Sequence, residues 1–336
     1  MGAATIVKTR VMVNGLSPNC DKGKMARDVA TAVIKSGDFE LHGYSLGGKS
    51  LNALNGSERR VDIAGQTVQL YSPNERMYFA VDSQFHPPDL VVDATRSGAI
   101  LTNGRYYIAQ KWNFLMMTTG SDTKTLSAEL KNSGVKGIIV PNTAAEMVEF
   151  LAVLGKFAVE HKGQMNNCVL NVIESHQKEK EETSATAKEA IEYFKELGIE
   201  NRNITMLRRQ EMQTAIGVPE AHHGRHGWHT YEITGYGLNQ TLTELHTRLW
   251  IFLSESPVFR YYKRTENEAT PGNAQISCIS KEGDVAFELK YTNVSNPFVG
   301  GQLQQLKVSQ MINGGAVYAK GALDILRSMR REIGEG

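Results

Sequence analysis

Cysteine is scarce in this 336-residue chain: Cys20, Cys168 and Cys278 are odd in number, far apart and without a CxxC pair. That excludes a disulfide framework and a cysteine-based zinc cluster, and points to a reducing compartment. Net charge is nearly absent as well. Lys and Arg total 37 against 36 Asp and Glu, a formal +1, so the chain as a whole is drawn neither to nucleic acid nor to an anionic membrane. No apolar run approaches the roughly 20 residues that cross a bilayer. The opening "MGAATIVKTRVMVNG" runs into a strand without a secretory apolar core. The expected location is cytoplasmic, or the plastid stroma if a transit peptide has been removed. Internal repeats and low-complexity tracts are missing too. What is present is 41% hydrophobic content over 336 residues, enough for two domains.

The first domain reads as a parallel α/β sheet. "TRVMVN" (9–14) is a β-branched run ending at Gly15, and "GKMARDVATAVIKSG" carries apolar residues at helical spacing before stopping at Gly37. "FELHGYSL" follows as a second strand, "QTVQLYS" as a hairpin-like piece, and "DLVVDAT", "NFLMMTTG" and "KGIIVPN" as the third to fifth strands, most of them separated by helices. From about Pro141 a helix, "AAEMVEFLAVLGKFAVEH", leads into the strand "CVLNVIESH", a second helix and a strand-rich tract to about residue 312. The expected architecture is α/β: an N-terminal Rossmann-like dinucleotide-binding domain (1–141 with the helix 316–336), plus an α+β substrate and oligomerisation domain with a mixed sheet (142–315).

Two turns of the first domain suit a dinucleotide. "NGLSPNCDKGKMARDVA" places Gly15 and Gly23 between a strand and a helix start at Lys24 and Met25, where backbone N–H groups meet a pyrophosphate. Ala26 stands where a third glycine would allow close packing, and a glycine-rich turn of this kind is also a common structural device. Past the second strand, "GYSLGGKS" has no acid to accept from a ribose 2′-hydroxyl but offers Ser45, Lys49 and Ser50, which attract a 2′-phosphate. The expected cofactor is NADPH, with NADH possible. "MTTGSD" puts Thr118, Thr119 and Gly120 at a carboxyl end of the sheet, to hold the nicotinamide or to form a plain turn capped by Ser121 or Asp122.

The second domain holds "ESHQKEKEETSATAKEA". His176 and Lys180 precede a helix start, with Thr183 or Ser184 as cap, followed by Ala185 and Thr186. Ammonium, imidazole and helix N–H groups together make an anion site beside a proton donor on an otherwise neutral protein. The plainer alternative is a solvated Lys-Glu run that caps a helix.

This stretch is similar to the E-S-H-Q-x-x-K-x-D-x-S-G-T-A-K motif of the dihydrodipicolinate reductases, in particular the plant-type branch. The resemblance extends to "NG…GKM", "VVDAT" (91–95), "FLMMTTGSD" (114–122), "PNTAAEMVEFLA", "GVPEAHHGRHGWHTYEIT" (217–234) and "VYAKGALDIL" (317–326). It implies hydride transfer from NAD(P)H to a cyclic imine dicarboxylate on the lysine pathway, with His176 and Lys180 as the proton-donating and substrate-polarising pair. Ser184, Ala185, Thr186 and His226 would meet the substrate; Thr95 and Asn142 would join the cofactor residues. It also implies a homo-oligomer, tetramer or dimer, assembled through the sheet of the second domain. The chain departs from the family at Ala185 and Glu182, where a glycine and an aspartate are expected, and at Ala144 and Ala145. It also inserts several tens of residues at about 238–312.

"EAHHGRHGWH" gathers His222, His223, His226 and His229, yet without helical spacing or a nearby cysteine, and no metal is expected there. "RYYKR" (260–264) is too isolated to form a nucleic-acid surface. Two other readings stay open: a reductase of a different cyclic imine acid in specialised metabolism, and a non-catalytic scaffold that keeps the fold and assembles through the insertion.

Overall fold

The structure, a computed structural model, describes residues 8–334 apart from 119, 121, 141, 179, 237–239, 258, 267–272, 281–282 and 297–300. Contacts divide the chain into one unit of Met1–Ala144 with Tyr318–Gly336 and a second of Ala145–Val317.

The first unit opens with β1 (Thr9–Asn14), α1 (Lys24–Ser36), β2 (Phe39–Leu41), β3 (Tyr44–Leu46), β4 (Arg60–Ile63), β5 (Gln66–Tyr71) and α2 (Arg76–Phe85). It continues with β6 (Leu90–Asp93), α3 (Ile100–Ala109), β7 (Asn113–Met116), α4 (Thr123–Leu130) and β8 (Gly137–Ile139). The main sheet has the order β2-β1-β6-β7-β8, all parallel. Val11 to Asn14 and Leu90 to Asp93 are buried along their whole length, as strands covered on both faces must be. Val29 and Val33 bury one stripe of α1 together with Ala26 and Ala30, each valine contributing about 1.5–3 kcal/mol of burial, and Gly37 in the left-handed region (φ 77°) ends the helix.

One expectation fails here. "FELHGYSL" is not a single strand: β2 pairs with β1, whereas β3 joins a separate small sheet of order β3-β5-β4. The break lies at His42 and Gly43. His42 donates its N–H to Val11, whereas the Gly43 carbonyl already accepts from Gln69 of the other sheet. The His42 ring, hydrogen-bonded to the His86 carbonyl and the Tyr44 N–H, holds the corner. A short apolar run carries no mark of such a change of partner.

The second unit runs α5 (Ala145–Glu160), β9 (Cys168–His176), α6 (Ala185–Glu196), β10 (Glu200–Leu207), α7 (Gln210–Ala215), β11 (His226–Tyr236) and α8 (Gln240–Glu255). The strands β12 (Phe259–Glu266), β13 (Ala274–Ser280), β14 (Val285–Asn296) and β15 (Gly301–Asn313) follow. They form one mixed sheet, β10-β9-β11-β15-β14-β13-β12, parallel only between β9 and β10. Residues 259–296 thus extend the sheet of this unit by β12, β13 and β14. Leu242, Leu245, Leu249 and Leu253 give α8 an apolar stripe, and the helix packs on β13, β14 and β15. Under α5 and α6, Tyr231 of β11 lies against Phe150 and Phe194, and Phe150 against Phe287 of β14, which fixes the sheet centre with buried aromatic surface.

The last helix, α9 (Ala316–Gly334), lays Ala319, Ala322, Leu323, Leu326 and Met329 into the core cluster of the first unit. Gly321 permits this close approach, since a Cβ there would stand 1.6 Å from the Thr143 carbonyl oxygen. Thr143 in turn donates its hydroxyl to the Tyr318 carbonyl at 2.7 Å.

Candidate functional site

The carboxyl ends of β1, β6 and β7 share one buried polar network. Asp93, fully buried, accepts at one oxygen from the Thr95 N–H (3.0 Å), the Thr95 hydroxyl (2.6 Å) and the Thr118 hydroxyl (3.0 Å). At the other it accepts from Asn103 (2.8 Å) and from Tyr107 (2.6 Å). Tyr107 also accepts from Asn14, whose own oxygen takes the Leu46 N–H. Burial and the Asp93 carboxylate push the Tyr107 hydroxyl well above the usual tyrosine range, which keeps it a donor. The network locks the strand ends at the edge where sheets of this order bind ligands. Asn14, Asp93, Asn103 and Tyr107 were not singled out from the sequence; an acid that ends a wholly apolar run is the signal that marks Asp93.

The glycine turn fits a pyrophosphate. Gly15 (φ 104°) and Gly23 (φ 65°) both sit in the left-handed region, and a Cβ on either would meet backbone oxygen, Ala94 O at 2.4 Å or Gly15 O at 2.5 Å. No side chain caps α1, so the amides of its first turn, at Lys24 and Met25, face the turn without a capping oxygen. Ala26, in the third-glycine position, is fully buried in the core. Lys49 is exposed at the start of a helical turn, Lys49–Ala53. Ser45 is fully buried, with its hydroxyl on the Leu46 carbonyl. Thr95 and Thr118 serve Asp93, Gly120 packs against Ile100 and Ser97, and Asn142 is buried and accepts from the Ala144 N–H. Thr119 lies outside the described residues.

In the second unit, β9 brings Glu174 and His176 to one face, two residues apart, and β11 sets His229 directly across from Glu174. Ser184 is the cap of α6: its hydroxyl accepts from the Ala187 N–H at 3.0 Å, while its own N–H goes to Glu174 at 3.0 Å. Arg208, just past β10, forms an ion pair with Glu174 and donates to the Lys180 carbonyl at 2.7 Å. Glu174 is fully buried and thus ties together the helix start and the loop that carries Lys180. Gln213 of α7 donates to the His176 carbonyl at 2.8 Å.

The histidines form a chain. His176 donates from Nδ1 to the His226 carbonyl (3.1 Å), and its Nε2 lies 3.2 Å from His229 Nε2, which is itself 2.7 Å from the Ser184 hydroxyl. Burial, with Lys180 and Arg208 adding repulsion, pushes His176 down to about 3; burial and His176 push His229 to about 3. Lys180 is lowered by burial and by Arg208 against the opposing pull of Glu174.

His226 is engaged at both ring nitrogens. Its Nε2 meets the Ser175 hydroxyl at 2.7 Å and its Nδ1 the His222 carbonyl at 3.0 Å, so both nitrogens are committed inside the unit, and it supports His176 through its backbone rather than offering its ring to a ligand. His223 turns to Thr214. Glu174, His176 and His229 converge within 4.8 Å in a set that could hold a cation, but the Glu174 carboxylate is already taken by Arg208 and the Ser184 N–H. Thus His176, Ser184 and the first turn of α6, with Ala185 and the buried Thr186, come together around Glu174 and Arg208, neither of which was singled out from the sequence.

The two neutral histidines have a consequence for stability. Their folded pKa lies below the ordinary 6.5, so the stability they contribute is complete above about pH 6.5 and is lost as pH falls toward about 3. Between pH 7 and pH 5 the unfolding free energy is expected to drop by about 2 kcal/mol for each imidazole kept neutral, the slope reaching about 1.4 kcal/mol per pH unit only below the ordinary 6.5. Denaturant titrations at the two pH values check this; equal midpoints contradict it.

Comparison with known proteins places the chain. It is 33% identical over 229 residues to 4-hydroxy-tetrahydrodipicolinate reductase 1, chloroplastic, of Arabidopsis thaliana, covering 67% of this chain and 62% of the relative. It is 32% identical over 229 residues to probable 4-hydroxy-tetrahydrodipicolinate reductase 2, chloroplastic, of Oryza sativa subsp. japonica, covering 67% of each. The chain thus spans about 62% of the length of the Arabidopsis relative. No family model matches it. Among solved structures, aspartate semialdehyde dehydrogenase II of Vibrio cholerae, complexed with ASA, superposes with a TM-score of 0.51 at 9% identity over 97% of this chain and 99% of the other, a likeness of fold alone. With relatives about a third identical and a parallel sheet of dinucleotide-binding type beside a mixed sheet, the chain belongs to the 4-hydroxy-tetrahydrodipicolinate reductase family.

Proposed function

We propose that this protein is an NAD(P)H-dependent reductase that transfers hydride to a cyclic imine dicarboxylate, dihydrodipicolinate, giving tetrahydrodipicolinate in lysine and diaminopimelate biosynthesis. The observation that carries the reading is the assembly of Lys180, His176 and the Ser184-capped start of α6 around the buried Glu174–Arg208 pair. A carboxylate of the substrate would take the α6 N-terminus and the Ser184 hydroxyl; the Lys180 ammonium would stand by the developing charge. The first unit would hold the dinucleotide at Gly15, Gly23, Lys24 and Met25, and when bound the dinucleotide supplies the hydride. The relatives' names support a chloroplast location, and among the described residues no helix is long and apolar enough to cross a membrane.

The test is oxidation of NADPH on addition of freshly generated dihydrodipicolinate, with NADH alongside. Substrate-dependent oxidation supports the reading; NADPH binding without oxidation directs it to another cyclic imine or to a non-catalytic role. Within the reading, NADPH is preferred over NADH, because Lys49 is exposed after β3 and no acid stands between Gly43 and Ser50. Lys49→Ala is expected to weaken NADPH by about tenfold, the worth of one charge-assisted contact, and to leave NADH unchanged. Calorimetry on both nucleotides decides; an unchanged ratio removes the 2′-phosphate assignment.

A further inference from the structure

His229 is absorbed by neither the helix start nor the lysine, yet it stands at the centre of the buried chain. Its Nε2 is shared between His176 Nε2 at 3.2 Å and the Ser184 hydroxyl at 2.7 Å. The protons can be placed one by one. The His226 carbonyl only accepts, so His176 carries its proton on Nδ1. If His176 is neutral, its Nε2 is an acceptor, and the facing nitrogen of His229 must be the donor. Ser184 already accepts the Ala187 N–H, can accept from His229 as well, and keeps its own proton free to donate elsewhere. The alternative arrangement requires an imidazolium at His176 and turns the Ser184 hydroxyl back onto His229. Beside Lys180 and Arg208, in a buried pocket, that extra positive charge is disfavoured despite Glu174.

We propose that His229 is a positioning residue: its Nε2–H engages the free Nε2 of the neutral His176 and leaves the Ser184 hydroxyl proton available to a substrate carboxylate. The inference rests on the reductase reading. A dinucleotide held at Gly15, Gly23, Lys24 and Met25 would supply the hydride, with its electron pair, for the new C–H bond at a ring carbon. The π pair of the conjugated imine moves onto nitrogen, and one N–H bond of the Lys180 ammonium breaks as its proton passes to that nitrogen. Lys180, left as the amine, is only partly buried and takes a proton back from water. His176 does not lose a proton in the cycle, because both its nitrogens are engaged within the unit.

The experiment is nitrogen NMR of the imidazoles in the full-length protein with labelled histidine and no ligand, joined to pH profiles of turnover. Expected at neutral pH are the Nδ1–H tautomer for His176 and the Nε2–H tautomer for His229, and the variants are His229→Leu and His229→Asn, whose amide can still donate to Nε2. In His229→Leu both His176 Nε2 and the Ser184 hydroxyl lose the donor that fixes them. There kcat is expected to fall by about 10–100-fold with a smaller change in KM, and His229→Asn to restore most of it. An Nδ1–H tautomer at His229 or an imidazolium at His176 in the wild type overturns the proposal, as does a His229→Leu enzyme with wild-type kinetics at every pH. The tautomer is read without substrate, so a failed turnover assay counts against the reductase reading and a wrong tautomer against His229.

Discussion

Lys180→Ala is expected to lower turnover by about 10²–10⁴-fold, the range over which a positioned proton donor acts, while leaving the dissociation constant for NADPH unchanged. The reason lies in where the residues sit. Lys180 belongs to the second unit, on the loop between β9 and α6, and its carbonyl is fixed by Arg208 at 2.7 Å. The glycine turn, Lys24 and Lys49 belong to the first unit and fold around a separate core. Removing the ammonium takes away the cation that meets the charge developing on the substrate and the proton that neutralises it. It touches no group proposed to bind the nucleotide. Lys180→Arg keeps the charge but gives up the readily lost proton, because a guanidinium does not deprotonate in this range, and is expected to recover substrate binding without the rate. Steady-state kinetics with nucleotide titration by fluorescence checks both variants. An equal loss of turnover and of nucleotide affinity in Lys180→Ala places the site elsewhere.

Arg208→Met is expected to destabilise the second unit by about 3–5 kcal/mol, because it leaves the fully buried Glu174 carboxylate without its cation. For a unit of this size the loss corresponds to a fall of roughly 10 °C in Tm. Glu174 also accepts the Ser184 N–H at 3.0 Å, so the variant loosens the cap of α6 and with it the carboxylate end of the site. A double variant, Glu174→Leu with Arg208→Met, removes both charges and is expected to regain most of the stability, though not the activity, since α6 loses the anchor of its first residue. Thermal unfolding of the three proteins distinguishes these outcomes. An Arg208→Met protein as stable as the parent would mean that the pair holds nothing together.

Much of this architecture was legible from the sequence because the parallel strands are short, wholly apolar runs that alternate with amphipathic stretches, and burial on both faces leaves that trace. The helix start at Ser184 was legible as well, since cap residues are chosen for a local hydrogen bond. What escaped depends on partners distant in the chain. Glu174 is one acid in a strand until β10 returns Arg208 to it, 34 residues later. His229 gains its meaning from the register of β11 on β9, which no local pattern encodes. The burial of Ser45 was hidden for a similar reason: its loop composition suited a phosphate, and only the corner at His42 and Gly43 turns β3 into a second sheet and buries it. His226 shows the same limit, since a histidine that satisfies both nitrogens within the fold has the same letter as one that meets a ligand. The motif held these residues only by order and spacing, and the structure supplies their contacts.

The most direct test of the central claim is the fate of the hydride. With NADPH carrying deuterium at the transferable position of the nicotinamide and dihydrodipicolinate as acceptor, mass spectrometry of the product is predicted to show tetrahydrodipicolinate with one deuterium on carbon, formed by the wild type and abolished by Lys180→Ala. A product without deuterium, or unlabelled acceptor recovered while NADPH remains bound, would contradict the claim that this chain reduces a cyclic imine.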